Sequence, residues 1–325
     1  MAEIFTVIAC MKNEGAFLID WMAHHKALGF DHAVICTNDC ADTTATMVQR
    51  LQAMGLARHH ATRHWPATSI QRAALKQAGR APEVRGADWV WVCDADEFLA
   101  VRLGDGTVRA LVAAASDGAE VISVPWRIFG PAGWWTYRDR PVTRHFTLAA
   151  PATGPGAPRF AYPKSLFRGR LPLRRIGIHA PVAQAGAAFR VELPGGIPLV
   201  PQHHRLFVQA DYRYAQVNHY ALRSGQSFLV KRDRGRVNHM GQDMGLDYWD
   251  RFDHAEEPCD AIQRIAPAVA EWRARLMADD VLAGLHRAAV RWHRARASAL
   301  AADPAWAGMV AAIRERLARC ESSPS

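Results

Sequence analysis

From residue 4 to residue 10 every position but Thr6 is apolar, and the chain then breaks into Lys12-Asn13-Glu14-Gly15. Beyond the break Phe17, Leu18, Trp21, Met22 and Leu28 recur at near-helical spacing, and Gly29 ends the run. The pattern predicts a strand, a polar loop and a helix. It then repeats, with a strand at 33–36, a polar turn at 38–44, an amphipathic helix at 46–56 and a third helix at 70–78. Gly79, Pro82 and Gly86 lead into Val90-Trp91-Val92-Cys93, an apolar run of the buried-strand type that stops in Asp94, Asp96 and Glu97. Repeated units of this kind predict an α/β fold with a mostly parallel sheet, helices on both faces and ligands at the carboxyl ends of the strands. The first loop, the second loop and the acidic cluster then face one crevice.

Beyond residue 100 the pattern changes to a strand at 121–124, an aromatic segment (Trp126, Phe129, Trp134, Trp135, Tyr137) and a Pro/Gly-rich loop at 151–158. From about residue 260 the reading is helical. Ile262, Ile265, Val269, Trp272 and Leu276 form one apolar stripe, and Trp306, Met309, Val310, Ile313 and Leu317 another, each opposite a basic face. The expected division is a sheet-bearing domain over 1–258, with halves of about 1–100 and 101–258, and a helical extension over 259–325. Helices docked on the core with arginines in solvent explain the basic faces, and contact with a membrane surface is the alternative.

Composition narrows the partners. With 40 basic and 31 acidic residues among 325, the formal charge of +9 attracts polyphosphates, nucleic acid or an anionic membrane face. Recognisable nucleic-acid modules are absent, which sets nucleic acid aside. No apolar run approaches the roughly 18 residues of a membrane span and no signal core opens the chain, so a cytoplasmic protein is expected. Six scattered cysteines without a C-x-x-C pair point to reduced thiols.

The acids carry the chemistry. Strand alternation places Asp94 and Asp96 on one face, where two hard oxygen donors can share a divalent cation and bridge it to a diphosphate. A polar turn with solvated acids is the ordinary alternative. Lys12-Asn13-Glu14 reads either as part of a nucleotide pocket or as a loop in which Asn13 and Glu14 cap the next helix. His25, on an amphipathic helix, reads as structural. His219 opens a polar run with Ser224, Lys231 and Arg234, in which the histidine can complete a metal site and Lys231 and Arg234 can neutralise a diphosphate. His179 and the pair His203-His204 are further candidates. Of Trp126, Trp134, Trp135 and Tyr137, core by default, some can stack on an acceptor sugar.

Four ordered segments share a resemblance. Lys12-Asn13-Glu14 with Asp20-Trp21 and His25-x-x-Leu28-Gly29 resembles the opening of family 2-like glycosyltransferases, especially the bacterial group related to family 92. Asn38-Asp39-Cys40-Ala41-Asp42-Thr43-Thr44 resembles the loop after that group's second strand, and residues 91–99 its "D-A-D-E-F" segment. His219-Tyr220-x-x-x-Ser224-x-x-x-Phe228-x-x-Lys231-x-x-Arg234-Gly235 is similar to its distal segment. The chain departs from the group at Cys40, usually serine, and at Arg223, usually lysine.

The resemblance implies a GT-A fold, a Rossmann-like mostly parallel sheet flanked by helices, with Mn²⁺ or Mg²⁺ held against a nucleotide-sugar diphosphate by Asp94 and Asp96; His219 is the candidate for a third metal ligand. It implies donor contacts from Lys12, Asn13, Glu14, Asn38, Asp42, Lys231 and Arg234. The expected reaction is metal-dependent transfer of a sugar, with inversion, from a nucleotide donor such as a UDP-sugar to a glycan or lipid-linked hydroxyl. Surface glycan or polysaccharide synthesis, at or near the inner membrane surface, is the expected setting. Such a reaction needs a carboxylate base, for which Glu97 and Asp139 are the candidates. The rivals are metal-dependent nucleotidyl transfer or diphosphate hydrolysis, for which no Walker-type loop is present, a glycosidase, for which the paired acids are too close, and a non-catalytic sugar-binding relative.

Overall fold

The computed structural model describes residues 2–62, 69–199, 207–235 and 244–321. Strands β1 (Phe5–Met11), β2 (His32–Thr37), β3 (Arg58–Ala61) and β4 (Trp89–Val92) form a parallel ladder in the order 3-2-1-4. Helices α1 (Gly15–Ala27), α2 (Thr44–Ala53) and α3 (Ile70–Ala78) connect them. The order reverses between β1 and β4, the topological switch point at which such sheets open a crevice beyond the strand ends. Because Ile8 pairs with Val92, the loop after β1 and the turn after β4 emerge side by side.

The other half of the sheet is mixed. Strand Pro163–Arg168 runs antiparallel between β4 and β6 (Val121–Ile128). Strand Ala215–His219 pairs parallel with β6 and antiparallel with β5 (Glu97–Val101). The α/β class and mostly parallel sheet are as expected, but one placement is corrected. Strand β4 stops at Val92, and residues 94–96 lie in the turn that carries the chain into β5, closed by the Glu97 N–H donating to the Asp94 carbonyl at 3.2 Å. Strand alternation therefore does not govern Asp94 and Asp96.

Helix α1 is buried along almost its whole circumference, from Gly15 to His25. Helices Ala266–Met277 and Asp280–Ala302 cover the side of it that the sheet does not. Leu276, Leu282, Ala289 and Val290 join the same apolar cluster as Val7, Phe17 and Trp21. Ala297, Leu300, Ile313 and Leu317 pack with Phe228, Leu229 and Trp249 of the sheet-bearing part. Gly15 is required by this docking, since a Cβ there would stand 2.8 Å from Ala289 Cβ. Among the described residues, no helix is long and apolar enough to cross a membrane.

Candidate functional site

The turn after β4 is held from three sides. Asp94 Oδ1 accepts from Gln71 Nε2 of α3 at 2.7 Å, and Oδ2 from Lys164 Nζ at 3.2 Å. The Asp94 N–H donates to Glu97 Oε2 at 2.7 Å, and that oxygen lies 3.0 Å from Lys164 Nζ. The Lys164 and Glu97 side chains are fully buried, whereas Asp94 keeps 31% of its side chain exposed at the crevice. Burial and the neighbouring Asp94 and Asp96 charges push Glu97 up to about 8, against the pull of Lys164. Burial opposes the charge on Lys164, yet Asp94 and Glu97 together hold its pKa above the ordinary lysine value.

Asp96 is turned elsewhere. Its Oδ2 accepts from Lys231 Nζ at 2.6 Å and lies 3.8 Å from His219 Nε2. Lys231 also donates to the Ala221 carbonyl at 2.7 Å. The Tyr220 N–H donates to the Asp96 carbonyl at 2.9 Å, which fixes the end of the distal strand against the turn. Burial opposes ionisation of Asp96, but Lys231 and His219 hold its carboxyl well below the usual range. Burial likewise lowers His219 against the attraction of Asp96, so the ring is neutral near pH 7.

An ionised carboxylate facing a neutral imidazole nitrogen suits a divalent cation by the chemistry of its donors. His219 Nδ1 is buried without a hydrogen-bond partner among the described residues. No group of three His, Cys, Asp or Glu side chains is set to hold a metal among those residues. Asp96 and His219 are the two side chains here that could hold a cation, with Lys231 already on Asp96 Oδ2. The two carboxylates make different contacts, Asp94 to Gln71 and Lys164 and Asp96 to Lys231 and His219, while the Asp94 charge is also felt at His219.

The loops expected to hold a nucleotide prove largely braced by their own side chains. Asn13 adopts φ 53°, and its Oδ1 accepts from the Ala41 N–H at 2.7 Å. Asp42 accepts from the Gly15 N–H at 3.0 Å and the Thr44 N–H at 2.9 Å. Glu14 is buried between Arg223, whose Nη1 donates to it at 2.8 Å, and Arg234, which also donates to the Lys12 carbonyl. Both arginines hold Glu14 below the usual carboxylate range despite its burial. Arg223 further donates to the Ala95 carbonyl at 2.9 Å and stacks over Phe17, 3.6 Å from the ring centre. Asn13, Glu14, Asp42 and Arg234 are thus engaged inside the protein. Among the described residues, Lys12 is partly exposed, and Asn38 is buried with its amide in a 3.5 Å contact to Asp39, so these two are the least engaged of the expected donor residues.

Helix Gly225–Asp233 starts at Ser224, whose Oγ accepts from the Ser227 N–H at 3.2 Å. Lys231 and Arg234 lie about one turn apart on it, as their spacing implies, and reach Asp96 and Glu14 respectively.

Both proposed bases are engaged in ion pairs. Glu97 is sealed against Lys164 and cannot reach an acceptor hydroxyl. Asp139 pairs with His286 Nε2 at 3.1 Å on the C-terminal helix Asp280–Ala302, among charges of Arg273 and Arg294. His25 is structural, its Nδ1 bonded to the Trp21 carbonyl at 2.8 Å. His179 joins the crevice with its ring against Trp126, and burial brings it to about 4. His203 and His204 lie outside the described residues. Trp126 stacks on His219, whereas Trp134, Trp135 and Tyr137 pack against His145, Arg314 and Phe17. Lys164 and Gln71 were missed in the sequence. Lys164 stands in the half-polar stretch Pro163-Lys164-Ser165-Leu166-Phe167, which carries no signal that its ammonium is buried.

No family model matches the chain. A glycosyltransferase family 92 protein of Ricinus communis is 29% identical over 162 residues, covering 45% of this chain and 27% of that protein. One of Oryza sativa subsp. japonica is 28% identical over 156 residues, 46% of this chain and 26% of its own. The chain therefore spans about a quarter of the length of these curated relatives. Among solved structures, S. aureus TarS 1–349 in complex with UDP is 16% identical, with a TM-score of 0.28 over 38% of this chain and 35% of that one. Glucosyl-3-phosphoglycerate synthase from Mycobacterium tuberculosis with Mn²⁺, UDP and glucosyl-3-phosphoglycerate is 15% identical, with a TM-score of 0.29 over 62% and 74%. At that level of superposition the fold rests on the strand order itself.

Proposed function

We propose that the chain is a GT-A glycosyltransferase that moves a sugar from a nucleoside-diphosphate donor to a hydroxyl acceptor by a single inverting displacement. The observation that carries the reading is the convergence of Asp96, His219 and Lys231 beside the exposed edge of Asp94, at the carboxyl end of β4 in a 3-2-1-4 sheet. The glycosyltransferase family 92 relatives support it.

Asp96 and His219 would hold Mn²⁺ or Mg²⁺, which when bound supplies Lewis-acid stabilisation of the leaving diphosphate. Lys231 places a permanent positive charge beside the same position, where a preorganised charge stabilises the negative charge that grows on the departing β-phosphate. Lys12 and Asn38, at the ends of β1 and β2, face the nucleoside side of the crevice. Lys164 and Gln71 hold the Asp94 carboxylate so that its exposed edge is presented to the donor in one orientation. We place the reaction on the cytoplasmic side, at the inner membrane surface, where the exposed arginines of the C-terminal helices meet anionic lipid. Surface glycan or polysaccharide synthesis is the setting that suits it.

A panel of nucleotide sugars with and without Mn²⁺, read by release of the nucleoside diphosphate, tests the reading. Release from one donor, lost in EDTA, is expected. A protein that neither binds a nucleoside diphosphate by calorimetry nor releases one is not a glycosyltransferase of this kind.

A further inference from the structure

A row of rings leads away from the acidic turn. The His219 and Trp126 ring centres are 4.2 Å apart. Trp126 lies 5.5 Å from Tyr162 and 5.3 Å from His179, and Tyr162 lies 4.3 Å from Phe207. Trp126, Tyr162, His179 and Phe207 are all partly exposed, and Phe160, beside them on the short antiparallel pairing of 160–161 with 208–209, is 40% exposed.

The row is braced. The Trp126 N–H donates to the Tyr162 carbonyl at 2.8 Å, the Tyr212 hydroxyl donates to the Trp126 carbonyl at 2.9 Å, and His179 Nδ1 is bonded to the Pro163 carbonyl at 3.0 Å. The Trp126 indole N–H is buried without a partner among the described residues. Buried polar groups are ordinarily satisfied, so this one marks a place for an acceptor atom that the described residues do not supply.

We propose that Trp126, Tyr162, His179 and Phe207 form an acceptor subsite for an extended carbohydrate of at least two sugar rings. The proposal rests on the reading of the acidic turn as a sugar-transfer centre. The C–H faces of sugar rings settle on aromatic planes, while their hydroxyls need hydrogen-bonding groups at the ring edges. Tyr162, His179 and Trp126 each combine a flat face with a polar edge, a pairing that an aliphatic lipid chain has no use for. A row that starts at His219 and continues through Trp126 and Tyr162 to Phe207 fits consecutive sugars better than one compact acceptor.

The test titrates the full chain with short glucan, mannan and chitin oligosaccharides and with their monosaccharides, followed by intrinsic tryptophan fluorescence. At least one series binds, more tightly as it lengthens. Tyr162→Ala and Phe207→Ala each weaken that binding about fivefold at an unchanged melting temperature. Phe207→Leu keeps an apolar side chain, removes the ring plane and guards against a folding defect. Absence of binding by every series, or unchanged affinity in folded Tyr162 and Phe207 variants, overturns the subsite. Calorimetry with a nucleoside diphosphate separates the two readings. Carbohydrate binding that depends on these rings, without nucleotide binding, removes the transfer reading alone. Nucleotide binding without ring-dependent carbohydrate binding removes the subsite alone.

Discussion

Lys164 Nζ lies 3.0 Å from Glu97 Oε2, and neither side chain has any exposure to solvent. The lysine comes from the antiparallel strand Pro163–Arg168 and the glutamate from the first position of β5, so the pair locks the turn bearing Asp94 and Asp96 to the middle of the sheet. Its effect at the crevice runs through Asp94, which Lys164 holds at 3.2 Å.

Removing Lys164 takes the ammonium away from both the buried Glu97 carboxyl and Asp94, and losing hydrogen bonds to a charged group costs about 1.5–3 kcal/mol. Lys164→Met should destabilise the protein by that order, measured by urea denaturation. Glu97→Gln in the same chain should recover part of the loss, because a neutral pair needs no compensation. Strict additivity of the two substitutions would show that they do not interact.

Arg223 braces two loops from a position where the resembled group usually carries lysine. Its two terminal nitrogens serve different acceptors, Glu14 and the Ala95 carbonyl, and one ammonium on a shorter reach cannot reproduce that fork. Arg223→Lys should therefore lose about 1–3 kcal/mol of stability. It should also reduce donor affinity, since the loop after β1 loses part of its anchor. A variant with unchanged stability and unchanged nucleotide affinity would show that the fork is dispensable.

The first half of the fold was legible in the sequence because each strand there is a short apolar run closed by a polar loop. The helix expected at 70–78 is found at Ile70–Ala78, and the strand expected at 4–10 is shifted by one residue. Strand Pro163–Arg168 was not legible, since Lys164 interrupts its apolar pattern and its counter-charges lie 70 residues away in sequence. The bracing of the loops was hidden for the same reason. Glu14 meets Arg223 across 209 residues, and although asparagine tolerates a positive φ, only the closed loop assigns one to Asn13. Lys12, Asn13, Glu14, Arg223 and Arg234 stood in matching segments, yet only the structure separates the residues that hold the loops from those that face the crevice.

The division of labour between the two aspartates is testable. Asp96 faces His219 and Lys231, so Asp96→Asn should weaken divalent-dependent nucleoside-diphosphate binding by about tenfold or more, about 1.4 kcal/mol. Asp94→Asn should keep the dependence on the cation, because Asp94 is bonded to Gln71 and Lys164. Calorimetry of a nucleoside diphosphate at varied Mn²⁺ checks both. Equal loss of the cation dependence in both variants would return the site to a shared pair of aspartates.

Buried histidines give the protein an acid limit. His24 is lowered by burial to about 4 from the ordinary 6.5, and His293 by burial and the neighbouring Arg223 to about 3, while burial also lowers His219. In each case the unfolded chain binds the proton more readily than the folded one. Their contribution to stability is therefore complete above the unfolded value near 6.5 and is lost as pH falls through the folded value. At about 1.4 kcal/mol per unit, His24 alone accounts for about 3 kcal/mol between pH 6.5 and 4. These histidines should lower the melting temperature as pH drops below 6, a slope opposed by Glu97, which holds its proton in the folded chain up to about 8 and costs stability as pH rises toward that value. His24→Asn should flatten that slope, whereas His219→Asn should leave more of it and instead remove the cation dependence of nucleotide binding. Activity should fall with acidification before the fold is lost if the His219 ring must stay neutral to face a cation, because Nε2 is also the atom turned to Asp96. A pH profile of cation-dependent nucleotide binding that stays flat down to the onset of unfolding would remove His219 from the cation's ligands and leave it a packing partner of Trp126.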